Sequence, residues 1–362
     1  MSLNLNNKLI AIQEESRLIS QIEKESRLFF SLVTYRNDLL MSKNPKKVLD
    51  FYKSFNDTSE IIKWLRERPK GRSKIIDIEG DNEAIVVIPT ASINNEHSQR
   101  CKNEIFKGMR IIFVESGNFG DPYFSFSHNC NVGIRKALEY KPKYVIWTND
   151  DMLKFDSATK LRDEIHKVLD TKPIAIFARK NYQVSTPVKI VRFNFLGKIF
   201  LKIIKYIKFY KIIGRNTPNT DNFINYNAFL AKSFERYIKL SLYNKFRSRF
   251  FLSNIKFVPT SILFKNVAEY INFDAFGILK ADFISDLKEV FDENIIVQHA
   301  DQDLSLRFGL NPKQISWIDY SIRGIGRATI KDNTSERLRS ILADIYIDYK
   351  IRNNEYPNLL ST

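Results

Sequence analysis

The chain has 362 residues, 44% hydrophobic and 27% charged, so it is long enough for one large domain plus a smaller one and has the balance of an ordinary globular protein. Two cysteines, Cys101 and Cys130, and no basic stretch running into an apolar one at the start argue against a disulfide framework and predict a cytoplasmic protein. No apolar run approaches the ~18 residues a spanning helix needs, while a formal net charge of +16 calls for an acidic partner.

Residues 1 to 82 read as a helical N-terminal appendage: Leu9, Ile12, Leu18, Ile19, Ile22, Leu28 and Phe29 recur at helical spacing among charged residues. Asp57-Thr58-Ser59 offers an N-cap before Ile61, Ile62, Trp64 and Leu65, and Pro69-Lys70-Gly71 breaks the pattern. Ala84 to Ile88 is a β-branched run ended by Pro89-Thr90, which predicts a first buried strand feeding a loop. Arg110 to Val114 predicts a second strand ending at Glu115-Ser116-Gly117, and a helix is expected from Ser127 through Asn131, Gly133, Ile134 and Ala137.

That helix leads into Lys143 to Met152, where the apolar run Tyr144 to Trp147 opens directly onto Thr148, Asn149, Asp150 and Asp151. Such a run fits a strand buried on both faces, and ligands of open α/β sheets gather where such strands end. Two carboxylates there are placed to hold a divalent cation against a phosphate; the plain alternative is a strand end with solvated acids. The alternation of strands and helices predicts an α/β fold, a doubly wound, mainly parallel sheet flanked by helices.

Ser157 to Leu169 has helical periodicity, and Pro173 to Phe177 predicts a fourth strand. Residues 171 to 260 then carry eighteen Lys or Arg against two acids, the whole net charge of the chain. Within them, Lys198, Lys202, Lys205, Lys208 and Lys211 fan over one half of a helical wheel, with Ile199, Phe200, Ile203, Tyr206, Ile207 and Tyr210 on the other. A basic amphipathic helical insert at about 182–272 is therefore expected, and a polar face of cations alone suits an anionic membrane surface. A solvated face of the fold and, least favoured, nucleic-acid binding are the other readings. Downstream, Ala281 to Val290 reads as helical and Ile315 to Ile318 as a strand. Arg323 to Arg327 reads as a Gly-rich turn and about Ser335 to Lys350 as an amphipathic helix within a C-terminal segment, 331–362.

Six blocks, in order, resemble the inverting family 2 glycosyltransferases of the GT-A fold. They are Val86 to Thr90; Val114-Glu115-Ser116-Gly117; Asn131-x-Gly133-Ile134-x-x-Ala137; Trp147 to Asp151, at the family's DxD region; Phe291-Asp292-Glu293; and Ala300-Asp301-x-Asp303-Leu304-x-x-Arg307. The resemblance implies a GT-A-like domain over 83–330, a nucleoside-diphosphate-sugar donor, and Mn²⁺ or Mg²⁺ as cofactor. It places Pro89, Thr90, Glu115 and Asn149 beside the donor nucleotide, Asp150 and Asp151 at the metal, and Asp301 as the general base. Asp303 and Arg307 are implied to organise the helix start or to contact phosphate or acceptor, and Arg323 or Arg327 to serve the phosphate electrostatically.

The pattern departs from the family at Thr148, where the first Asp of the DxD stands, at Ala300, where a Glu stands, and in Asp319 to Arg327, which holds no His. The resemblance implies a metal-dependent, inverting transfer to an acceptor hydroxyl or phosphate, with a glycan, lipid or protein as acceptor, and the basic insert predicts a peripheral position at the inner membrane face. Two alternatives stay open. A nucleotidyltransferase would be expected to carry a Gly-rich basic loop after its first strand, where this chain has Pro89-Thr90-Ala91-Ser92. The other is a non-catalytic membrane- or nucleic-acid-binding protein on a transferase fold.

Overall fold

A computed structural model describes residues 21, 30–116, 122–154, 156–167, 175–180, 187–193, 195–196, 238–239, 264–271, 276–296, 299–309, 315–324 and 333–356. It divides into two compact units, Met1–Asn56 and Asp57–Thr362. In the first, a helix over residues 30–41 (α1) precedes α2 (Pro45–Lys53). Asn44 caps α2 by accepting from Lys46 N, and Pro45 stands where a helix has no use for an N–H. Phe51 meets Tyr52 and Phe55 edge-on at 5.0 Å, and the Arg36 guanidinium lies 3.9 Å from the Phe55 ring centre.

The second unit begins earlier than the 82/83 boundary expected from the sequence. Its first element is α3 (Thr58–Glu67), capped by the Asp57 side chain, which accepts from Glu60 N at 3.0 Å. Burial of Ile61, Ile62, Trp64 and Leu65 on one side of α3 makes it part of this unit's core.

Among the described residues eleven strands follow: β1 (Lys74–Ile78), β2 (Asp81–Thr90), β3 (Met109–Glu115), β4 (Tyr144–Thr148), β5 (Met152–Lys154), β6 (Ala175–Lys180), β7 (Pro187–Phe193), β8 (Ile238–Lys239), β9 (Phe264–Ile271), β10 (Phe276–Lys280) and β11 (Ile315–Gly324). The described helices between them are α4 (Glu96–Arg100), which continues as one π turn (Cys101–Ile105), α5 (Phe126–Leu138), α6 (Ala158–Lys167), α7 (Ala281–Ile284) and α8 (Ala300–Arg307), and α9 (Asn333–Arg352) follows the last strand.

Eight strands form one sheet in the order β1-β3-β2-β4-β10-β6-β11-β5. The pairs β3/β2, β2/β4 and β6/β11 are parallel, and β1/β3, β4/β10, β10/β6 and β11/β5 are antiparallel. The sheet is thus mixed, where the sequence predicted a mainly parallel one. Strand β10 enters the middle of the sheet reversed, with Gly277 opposite Trp147, and β1 and β5 pair antiparallel at the two edges. A Cβ at Gly277 would lie 2.4 Å from Trp147 Nε1, so the indole needs the space a missing side chain leaves.

Strand alternation sends Val86, Ile88, Phe113 and Ile146 to one face, where they pack with Cys101 and Ile105 of the π turn and Leu161 of α6. The other face of β2 and β3 is covered by α5. Gly133 makes that approach close: a Cβ there would sit 2.4 Å from Val87 Cγ1 and 2.8 Å from Val114 Cγ2. The expected α/β layering with helices on both faces is present in this half of the sheet.

Four other expectations change. The turn read at Arg323 begins inside β11, because the strand runs on to Gly324. The helix read from Ala281 to Val290 ends at Ile284. Within 182–272 the described segments include three strands that pair antiparallel as β8-β7-β9, where a helical insert was expected. The lysine fan from Lys198 to Lys211 lies outside the described residues, as does Arg327. Finally, α9 covers the predicted C-terminal helix but belongs to the same compact unit as the sheet, for reasons set by Lys350 below. Among the described residues no helix is long and apolar enough to cross a membrane.

Candidate active site

Chain order reverses about β2: the connection through α4 and the π turn leads to β3 on one side, and the connection through α5 leads to β4 on the other. In open α/β sheets the carboxyl ends of the strands at such a reversal border the ligand crevice. Here those ends are Thr90, Glu115 and the residues after Thr148.

Asp150 and Asp151 follow β4 directly and are only 8% and 7% exposed. Asp150 Oδ2 accepts from Thr90 Oγ1 at 2.7 Å and from Asn95 Nδ2 at 3.1 Å. Its backbone carbonyl accepts from Met152 N at 2.9 Å and from the Cys101 thiol at 3.2 Å. Burial, with the Asp150 charge adding to it, pushes that thiol up to about 12, so Cys101 stays a neutral donor.

Thr90 was expected beside a nucleotide; it is buried, and its hydroxyl is bonded to Asp150 and lies 2.8 Å from Ser98 Oγ. Pro89, buried as well, pairs in register with Val114. Glu115 lies opposite Thr90 across the ladder, and its Oε1 accepts from Ile93 N at 3.1 Å, bracing the loop after β2. Asn149 is half-buried between Thr148 and the carboxylates. On the far side, the backbone of Arg323 in β11 stands opposite Leu153 of β5, two positions past Asp151.

Asp301 is half-buried in the first turn of α8, where the helix dipole favours a carboxylate. Two residues before it, His299 takes a left-handed backbone, φ 67°, at the helix start. Asp303, two residues on, has a different environment from the one expected. It is fully buried, with Oδ1 accepting from Lys350 Nζ at 2.6 Å and Tyr356 OH at 2.8 Å, and Oδ2 from Arg307 Nε at 2.8 Å. Both of its oxygens are thus engaged within the fold. Arg307 is tied to the same carboxylate and donates to the Val290 carbonyl, so it too holds the fold together.

Lys350 also donates to Asp292 Oδ2 at 2.8 Å, and Tyr346 OH lies 3.1 Å from the same oxygen. Burial works to raise Asp292, but the Lys350 charge and hydrogen bond and the Asn294 N–H outweigh it, leaving the carboxyl below its ordinary value. Its neighbour Glu293 is lowered in the same way: burial opposes, and the bonds from His128 at 2.7 Å and Asn131 at 3.0 Å prevail. Asn131 fastens this loop further, its Oδ1 accepting from Val290 N and Phe291 N at 3.1 and 2.9 Å. The Asn131 and Phe291-Asp292-Glu293 blocks are therefore one joint between α5 and the segment leading to α8.

Among the described residues no three or more His, Cys, Asp or Glu side chains are grouped to hold a metal ion. The Asp150–Asp151 pair fits the looser mode in which one or two carboxylates hold Mg²⁺ or Mn²⁺ and substrate phosphates complete the shell. The sequence singles out neither Asn95 nor Ser98. Asn95 carries only an N-cap signal, and nothing in the sequence points its amide at a residue 55 positions away. Compared with protein-family models, curated proteins and solved structures, the chain matches none.

Proposed function

We propose that this chain is a glycosyltransferase that moves a sugar from a nucleoside-diphosphate donor to an acceptor hydroxyl. The observation that carries the reading is the nearly buried Asp150–Asp151 pair at the carboxyl end of β4, next to the strand about which chain order reverses. A site there suits a diphosphate, and two hard oxygen donors suit the cation that travels with one. When bound, Mg²⁺ or Mn²⁺ would supply positive charge to the leaving diphosphate, held by Asp150 and Asp151.

The remaining steps belong to the chain's own groups. Asp301, in the first turn of α8, takes the proton of the acceptor hydroxyl. The acceptor oxygen bonds to the anomeric carbon as the bond from that carbon to the phosphate oxygen breaks, and its electron pair leaves with the nucleoside diphosphate. Attack from the face opposite the leaving group inverts the centre. Glu115 and the loop it braces border the nucleotide, with Asn149 beside them.

The charge of residues 171–260 supports an anionic membrane surface as the place of work. Binding to anionic vesicles that weakens with salt is expected, and equal partition to neutral and anionic vesicles would remove that part. The activity is tested with UDP-, GDP- and dTDP-sugars and Mn²⁺, following nucleotide release and the anomeric configuration of the product. Asp301→Asn is expected to bind donor normally and lose transfer. The absence of both turnover and metal-dependent nucleotide binding in the wild type would overturn the reading, and a retained configuration would overturn its single-displacement chemistry.

A further inference from the structure

The hydrogen bonds around Asp150 point to a residue outside the six family-like blocks. Asn95 Oδ1 accepts from Ser98 N at 2.7 Å, capping α4, and this settles which way the amide faces, because a flipped amide would set an NH₂ against an N–H. Its Nδ2 then points at Asp150 Oδ2 and at Thr90 Oγ1, each 3.1 Å away. Thr90 has one hydroxyl proton and three oxygens to choose from: Asp150 Oδ2 at 2.7 Å, Ser98 Oγ at 2.8 Å and the Ser92 carbonyl at 3.1 Å. The carboxylate is the strongest acceptor and the nearest, so the proton goes there, and Ser98 and Asn95 donate into Thr90 behind it. Both donors that the described residues give this carboxylate fall on Oδ2, and none reaches Oδ1.

We propose that Asn95, with Thr90, is a positioning clamp that pins one oxygen of Asp150 and presents the other as a single-oxygen ligand to a divalent cation. This rests on the metal site proposed above, not on the identity of the transferred group. The donors are neutral, so they orient the carboxylate without cancelling the charge that a cation would need. Asn95 therefore has two separable tasks, capping α4 through Oδ1 and orienting Asp150 through Nδ2.

Serine at position 95 keeps a cap of similar strength and removes the amide donor, whereas alanine removes both. The test titrates Mn²⁺ into the full-length wild type, Asn95→Ser, Asn95→Ala, Thr90→Ser, Thr90→Val and Asp150→Asn, counting free Mn²⁺ by electron paramagnetic resonance and recording melting temperatures. Asn95→Ser and Thr90→Val are expected to weaken Mn²⁺ binding about 10- to 100-fold. Asn95→Ser should melt near the wild type, Asn95→Ala should melt lower, and Thr90→Ser should bind as the wild type does. Mn²⁺ affinity unchanged in Asn95→Ser would reduce Asn95 to a helix cap and overturn the proposal, even if sugar transfer is found. Mn²⁺ binding that does not depend on Asp150 would also overturn it. Weakened Mn²⁺ binding in Asn95→Ser, in a protein that turns over no sugar nucleotide, would uphold the clamp and remove only the transferase reading.

Discussion

Among the described residues, two arrangements of buried carboxylates have partners that differ in kind. Asp292 and Asp303 share one ammonium, Lys350, which is 3% exposed, and the remaining oxygen of Asp303 takes the Arg307 guanidinium. Asp150 is bonded instead to a hydroxyl and an amide, both neutral. Charge is compensated within the fold in the first case and oriented but left standing in the second. A buried ion pair of the first kind ties elements together and is costly to break on one side, whereas a carboxylate of the second kind keeps its demand for a cation.

The largest effect expected from breaking this contrast is on the Lys350 side. Lys350→Met takes from Asp292 the ammonium bonded to it and leaves Asp303 with Arg307 alone, and is expected to cost about 3–5 kcal/mol in urea unfolding. Neutralising Asp292 as well, in Asp292→Asn/Lys350→Met, should recover much of that loss, because Asp303 keeps Arg307. A single variant as stable as the wild type would show that the knot does not hold α9.

Asp150→Asn sharpens the other side. The asparagine Oδ1 can still accept from Thr90 and Asn95, so melting should stay within about 2 °C of the wild type. Metal-dependent donor turnover should fall by about 100-fold or more. Equal losses of stability and turnover would make Asp150 structural, like Asp303.

Gly133→Ala tests the packing that sets β2 under both arrangements. The added methyl meets Val87 and Val114 well inside contact distance, so a loss of about 1–3 kcal/mol is expected despite alanine's better helix propensity. No loss in thermal melts would mean that α5 can lift off the sheet without penalty.

The smallest effect is in acid. Asp292 and Glu293 sit below their ordinary values in the folded chain, so their stabilisation is fully present above the unfolded carboxylate range, about pH 4, and is lost as pH falls through the depressed folded values. Melting temperature should therefore drop below about pH 4, less steeply in Asp292→Asn than in the wild type. Parallel acid limbs for the two proteins would show that the carboxylate of Asp292 does not drive the drop.

Much of the sheet is legible in the sequence. The apolar runs at Ala84 to Ile88, Arg110 to Val114 and Tyr144 to Trp147 form β2, β3 and β4, because a strand buried on both faces leaves a continuous apolar trace. Strand β10 leaves a weaker one: Phe276 to Lys280 is short enough to suit a helix or a strand, and nothing local in it records that it pairs with β4 in the reversed direction. Asp301 and Asp303 fall within one sequence motif, yet α8 sends them to different surroundings. The partners that claim Asp303, Lys350 and Tyr356, lie 47 and 53 residues further along the chain.

By itself the sequence determined where carboxylates meet strand ends, which segments carry the positive charge, and that strands and helices alternate across the first half of the sheet domain. These are local properties, written in composition and periodicity. Only the tertiary structure decided which carboxylate is paired with a charge and which is held by neutral donors. That choice depends on whether a distant side chain brings a full charge, as Lys350 does, or only a dipole, as Asn95 does, and chain separation carries no record of which will arrive.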